Sequence, residues 1–179
     1  MTEKEKGGHL STGLVGIPIL TEWAIKSRSA DWVYGMLKKK SYPGYLYMLE
    51  NGATATWEHW NGDRSHIHNC YNGIGSWFYQ AIGGIRPDEK VPGYRRVIIS
   101  PQIPSGINWA KVSKETPYGT VIVDWKIIEN NVQLSLTVPP GCTALLELPS
   151  SYTLNGKKYR SSKSKEIPSG KHRLAYRLE

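Results

Sequence analysis

The chain has 179 residues, enough for one domain or two small ones, and 39% of them are hydrophobic, with seven Trp and eleven Tyr available for a core. No stretch approaches the roughly 20 apolar residues of a membrane span, so no membrane partner is expected. The net charge of +8 is uneven: residues 1–91 carry 10 Lys+Arg against 9 Asp+Glu, and residues 92–179 carry 13 against 6. The basic run Lys157, Lys158, Arg160, Lys163 and Lys165 surrounds a turn in a Ser-rich stretch. It reads as a solvated hairpin with no nucleic-acid-binding motif beside it, so no nucleic-acid partner is expected. Met1-Thr2-Glu3-Lys4-Glu5-Lys6 has no apolar run behind it that would act as a signal peptide. Cys70 and Cys142 fall in different predicted domains, which argues against a disulfide framework. Metal-ligand spacing is absent, and no cofactor is expected.

In chain order, residues 12–27 predict a helix, with Leu14, Val15, Ile17, Leu20, Trp23 and Ala24 recurring at helical spacing. Ser11 or Thr12 would cap it, and Pro18 would kink it or mark an early start. Ser29 would cap a second helix over 30–39, with Trp32, Val33, Met36 and Leu37 on one face. Lys38-Lys39-Lys40 would close that helix favourably against its dipole. Residues 41–68 hold Pro43, Gly44, Gly52 and Gly62 among aromatics, which predicts a long ordered loop with a short hairpin at Asn51-Gly52. Residues 69–83 predict a third helix ended by Gly83-Gly84, and 86–93 a linker.

From Tyr94 onward the period becomes two. Strands are expected around 97–99, 109–112, 120–125, 132–138, 143–148, 152–154, 157–160 and 171–178, with turns at Asn130-Asn131, Asn155-Gly156 and Ser169-Gly170. The fold class is therefore α+β: a helical segment over 1–91, then an antiparallel β-sandwich over 92–179.

The segment richest in chemistry is Thr54-Ala55-Thr56-Trp57-Glu58-His59-Trp60-Asn61-Gly62. It sets one carboxylate between two indoles. Such rings stack on the apolar face of a pyranose, while a carboxylate moves protons or binds hydroxyls. Trp57 and Trp60 equally suit core anchoring, with Glu58 a solvated neighbour. Three His on one loop, His59, His66 and His68, lack the accompanying carboxylate pattern of a metal site.

Thr56-Trp57-Glu58-His59-Trp60-Asn61-Gly62 resembles the "T-x-W-E-x-W-D-G" segment of bacterial α-L-rhamnosidases, glycoside hydrolase family 78. His9-Leu10-Ser11-Thr12-Gly13-Leu14-Val15-Gly16 resembles that family's "H-L-T-T-G-F-V-G". Tyr42-Pro43 followed by Tyr47-Met48-Leu49-Glu50-Asn51-Gly52-Ala53-Thr54 resembles "Y-P-S-W-G-Y-M-I-E-x-G-A-T". His68 with Gly75-Ser76-Trp77-Phe78-Tyr79, Arg95-Arg96-Val97-Ile98-Ile99-Ser100-Pro101-Gln102 and Thr116-Pro117-Tyr118-Gly119-Thr120 continue the match in order. The likeness covers residues 9 to 125 and is weaker beyond. The chain departs from the pattern at Tyr45, where the family has Trp, at Leu46, where it has Gly, and at Ile67, where Asn precedes the His.

The resemblance implies the last helices of an (α/α)6 toroid followed by a C-terminal β-sandwich. The chain is then the C-terminal part of an inverting enzyme that releases terminal α-L-rhamnose from glycosides or polysaccharides. It makes Glu58 the general base, His68 a sugar contact, and Trp57, Trp60 and Tyr45 candidate substrate-binding residues. His9 would line the ring's centre or cap its helix, and Glu50 would be structural. The general acid lies on an upstream segment that nothing here resembles, so the isolated chain is expected to be inactive and its bare helix faces to self-associate. The parent would be periplasmic or extracellular. A non-catalytic carbohydrate-binding module, or a structural brace, is the alternative from another class.

Overall fold

The computed structural model describes residues 7–10, 12–160 and 164–178. The leader reading of Met1–Lys6, the capping reading of Ser11 and the Lys163 part of the basic run fall outside those residues. The chain forms two compact units, Met1–Trp77 and Phe78–Glu179. This division precedes the expected 91/92. Residues 85–87 are already a strand, β1 (Ile85–Pro87), paired antiparallel with β2 (Arg96–Ile99). The Pro- and Gly-rich segment between them is a connection within a sheet rather than a linker.

In the first unit, α1 (Gly16–Lys26) starts later than expected, with Val15 at the N-cap position and no side-chain cap. Pro18 lies in the first turn, where its missing N–H costs no intrahelical bond. The buried residues are Ile17, Thr21, Ala24 and Ile25, a narrow stripe of recurrence four, seven and eight. Leu14, Val15, Ile19 and Trp23 remain exposed. In α2 (Ala30–Leu37), Ser29 occupies the N-cap position, but its hydroxyl bonds Ser27 Oγ at 2.8 Å instead of a helix N–H. Val33 and Met36 carry the buried face, and Lys38 is the C-cap.

The 41–68 segment contains a helix the sequence reading missed, α3 (Tyr45–Glu50). Asn51-Gly52 is its C-terminal closure and not a hairpin. The Ala53 N–H donates to Met48 O and the Gly52 N–H to Leu49 O, both at 3.0 Å, the paired bonds of a Schellman motif. The expected third helix is irregular: a 3₁₀ turn (Asn72–Ile74), one α turn, α4 (Gly75–Trp77), and then, in the second unit, a π-helical turn (Phe78–Ile82). The 3₁₀ turn packs tightly on α1, since a Cβ at Gly73 would stand 3.0 Å from Pro18 Cγ.

The second unit holds two sheets. A four-stranded sheet has the order β1-β2-β6-β9, with β6 at Thr143–Leu146 and β9 at Lys165–Ile167. A six-stranded sheet has the order β3-β4-β5-β10-β7-β8. Its strands are β3 (Trp109–Thr116), β4 (Gly119–Ile128), β5 (Asn131–Val138), β7 (Tyr152–Leu154), β8 (Lys157–Tyr159) and β10 (Gly170–Arg177). Among the described residues all strand pairs are antiparallel except β2 with β6, where Arg96 to Ile99 run alongside Thr143 to Leu146. A parallel pair needs a long crossover. Here β3, β4 and β5 supply it in the other sheet. Alternation buries Val121, Val123 and Trp125 against Leu134, Leu136, Leu174 and Tyr176. The Trp125 indole N–H donates to Ile82 O at 2.8 Å, so its ring enters the core with its polar atom satisfied.

Candidate functional site

The segment from Thr56 to His68 is a closed loop. The His68 N–H donates to Thr56 O at 2.9 Å, and the Thr56 hydroxyl donates back to His68 O at 2.5 Å, with the Asn72 side-chain amide 2.7 Å away. One step further in, the Glu58 N–H donates to Ser65 O at 2.8 Å. The ends are thus joined twice, as in a compact Ω-type loop.

Two buried indoles anchor this loop. Trp57 is 5% exposed and stacks on His66, with centroids 4.9 Å apart and planes 23° from parallel. Trp60 is 8% exposed and stacks on Tyr71 at 3.8 Å, with the edge of Tyr45 at 5.2 Å. Its indole N–H donates to Thr12 O at 3.1 Å. Each ring therefore has one face packed on a protein ring, Trp57 on His66 and Trp60 on Tyr71. Tyr45 belongs to the same cluster. Its hydroxyl donates to Tyr71 O at 2.8 Å, and burial first, then the neighbouring Tyr71 and Cys70, hold its phenol well above the ordinary tyrosine range. Burial likewise pushes the Tyr71 phenol up to about 12.

Glu58 sits on the rim, with its side chain 27% exposed. Oε2 accepts the Ser65 N–H at 3.3 Å, and Oε1 lies 3.7 Å from Arg64 Nη1. Arg64 has a positive φ of 66°, which turns the chain so that Ser65 faces back toward Glu58. Gly62 makes the preceding turn at φ 83°, and a Cβ there would press on the Trp57 ring at 3.1 Å. Sequence reasoning overlooked Thr56, Arg64 and Ser65, because their roles depend on backbone direction and no residue-type pattern announces that.

The remaining residues divide between packing and polar roles. His66 donates from Nε2 to Gly62 O at 2.8 Å and backs Trp57. His68 Nδ1 accepts the Cys70 N–H at 3.0 Å, so the proton of a neutral ring sits on Nε2. His9 Nδ1 donates to Pro43 O at 2.9 Å while Nε2 meets Ser41 Oγ at 3.1 Å, which ties its start of the chain to the Tyr42-Pro43 turn. Glu50 pairs with Lys40 at 2.6 Å on the surface. His59 is exposed. Among the described residues no three His, Cys, Asp or Glu side chains converge as metal ligands do.

The chain is similar to known proteins over most of its length. Residues 1–82 match the bacterial alpha-L-rhamnosidase 6 hairpin glycosidase domain, and residues 84–163 the bacterial alpha-L-rhamnosidase C-terminal domain. The chain is 34% identical over 181 residues to an alpha-L-rhamnosidase of Alteromonas sp. (strain LOR), covering 93% of this chain and 20% of that protein. It is 34% identical over 156 residues to one from Formosa agariphila, covering 81% of this chain and 17% of that protein. The solved Streptomyces avermitilis alpha-L-rhamnosidase complexed with L-rhamnose superposes with a TM-score of 0.88 at 27% identity, over 98% of this chain and 19% of that one. The alfa-L-rhamnosidase from Aspergillus terreus gives 0.83 at 26% identity, over 98% of this chain and 20% of that one. The chain thus spans about a fifth of the length of these relatives. With a six-hairpin glycosidase match followed directly by the C-terminal-domain match, and helices and sheets that superpose on solved members throughout, the chain belongs to the bacterial α-L-rhamnosidase family.

Proposed function

We propose that this chain supplies the base side of an inverting α-L-rhamnosidase site. Glu58 takes the proton from the water that attacks the anomeric carbon of a terminal α-L-rhamnosyl group. The observation that carries this reading is the holding of the Glu58 carboxylate: 27% exposed, yet tied to Ser65 through both its backbone and its Oε2, on a loop pinned by two buried indoles. A general base must reach water and also keep one position, and this arrangement meets both demands. Inversion requires a second carboxyl about 6.5–9.5 Å away to protonate the leaving oxygen. In this proposal that acid comes from the portion of the enzyme outside this chain. His68, with its proton on Nε2, donates to a sugar hydroxyl, while Trp57, Trp60 and Tyr45 hold the loop that carries the base.

The test is Glu58→Gln in the complete rhamnosidase that contains this chain. A base lost from the transition state lowers kcat about 10²–10⁴-fold with little change in KM. Azide, which has no proton to remove, restores turnover in Glu58→Ala and gives a product of inverted configuration. A raised KM with kcat intact and no azide rescue would instead make Glu58 a hydroxyl ligand.

A further inference from the structure

We propose that the outer face of the six-stranded sheet is a second, non-catalytic binding site for an acidic, uronate-containing glycan; the choice of a glycan rests on the rhamnosidase reading above, while the site itself does not involve Glu58. Cross-strand pairing sets Trp109 beside Lys126, Lys126 beside Gln133, Gln133 beside Ala175, Ala175 beside Thr153, and Thr153 beside Lys158. Directly paired residues share a sheet face. This row therefore crosses all six strands on the outward side. The five strand spacings, at ~4.8 Å each, make it about 24 Å long, enough for several pyranose units. The adjacent row runs from Lys111 through Asp124 and Ser135 to Arg173.

Three properties of this face fit such a ligand together. At one end Trp109 is 70% exposed on the edge strand β3, an aromatic platform that no described residue covers by stacking. Across the middle lies a concavity of ≈ 570 Å³ floored by Asp124, Gln133, Ser135, Thr153 and Arg173, planar and hydroxylic groups suited to sugar hydroxyls. Lys111, Lys126, Lys171 and Arg173 face outward here against Asp124 and Glu115, so the basic excess of the second half of the chain is gathered in part on one sheet. A positive surface attracts uronate carboxylates. The Asp124 carboxylate in the floor accepts hydroxyl protons, which pyranose rings present at several positions and a DNA phosphate backbone does not, and this favours the glycan.

The test uses the full 179-residue chain and native gels cast with polygalacturonate, with a neutral dextran, or without polysaccharide, alongside a filter-binding assay with single-stranded poly(dT). The chain is expected to be retarded by polygalacturonate, less so at high salt, and not by dextran. Trp109→Ala should weaken binding about tenfold, the scale for truncating an aromatic anchor. Arg173→Glu should abolish retardation, and Glu22→Gln, on the exposed surface of α1, should leave it unchanged. Circular dichroism checks that each variant is folded. The proposal is overturned by absence of retardation in polygalacturonate, by folded Trp109→Ala and Arg173→Glu binding as tightly as the parent sequence, or by poly(dT) binding of equal strength. Failure of the catalytic reading would appear separately, as an unchanged kcat in Glu58→Gln of the complete enzyme.

Discussion

Trp57 and His66 lie face to face, 4.9 Å between centroids, with the His66 Nε2 proton given to the Gly62 carbonyl at 2.8 Å. Indole, imidazole and the bare glycine clamp one another within the loop that carries Glu58, whose carboxylate itself is held by the Ser65 N–H and Arg64.

Gly62→Ala tests the clamp. The residue has φ 83°, and the new methyl would stand 3.1 Å from the Trp57 ring. Strain at such a φ costs about 1–3 kcal/mol, so the urea midpoint of the chain is expected to fall. Trp57→Ala removes a buried ring and is expected to cost about 3–5 kcal/mol. An unchanged midpoint in both would show that the loop does not depend on this packing.

The 179-residue chain alone is expected to show no turnover of an aryl α-L-rhamnoside. It spans about a fifth of the length of its relatives, and inversion needs a second carboxyl on the opposite side of the sugar. Turnover that disappears in Glu58→Gln would mean that a carboxylate within these residues serves as the acid.

The first unit is expected to self-associate as concentration rises. Val15 at the N-cap position of α1, with Ile19 and Trp23 in the helix, repeat at four-residue spacing, at 73%, 65% and 53% exposure. A contiguous apolar face of this kind drives association. Light scattering after size exclusion should show mass rising with concentration, and Val15→Lys with Ile19→Lys should return the chain to a monomer. A monomer at every concentration before substitution would contradict the expectation.

Stability should fall in acid through Asp88. Its carboxylate accepts the Lys90 N–H at 2.9 Å and Arg96 Nε at 2.5 Å, and these two bonds, in that order, hold its pKa below the ordinary carboxylate value. A depressed carboxylate contributes its full stability above the unfolded pKa, about 3.9, and loses it as pH falls through the lower folded value. The thermal unfolding midpoint of the unsubstituted chain should fall below pH ~4. In Asp88→Asn the midpoint should start lower and change less over that window. Parallel pH profiles for the two proteins would remove Asp88 from the account.

Local pattern in the sequence determined a good deal of this protein. Helical recurrence marked α1 and α2, and alternation with Asn155-Gly156 and the other turns marked eight of the strands, because side-chain burial of period 3.6 or 2 is written into neighbouring residues. The ordered motifs around Glu58 marked the family. Short or irregular elements escaped: α3 hides between Gly44 and Gly52, β1 and β9 have three residues each, and the 72–82 segment changes from 3₁₀ to π geometry. What only the tertiary structure decided is long-range. The parallel pairing of β2 with β6 joins residues more than forty positions apart, and no local period encodes such a partner. Likewise, an indole spaced three residues from another looks the same whether it stacks on a sugar or on protein. The contacts of Trp57 and Trp60 with His66, Tyr45 and Tyr71 form only once the chain has folded and the buried rings have found faces to pack against.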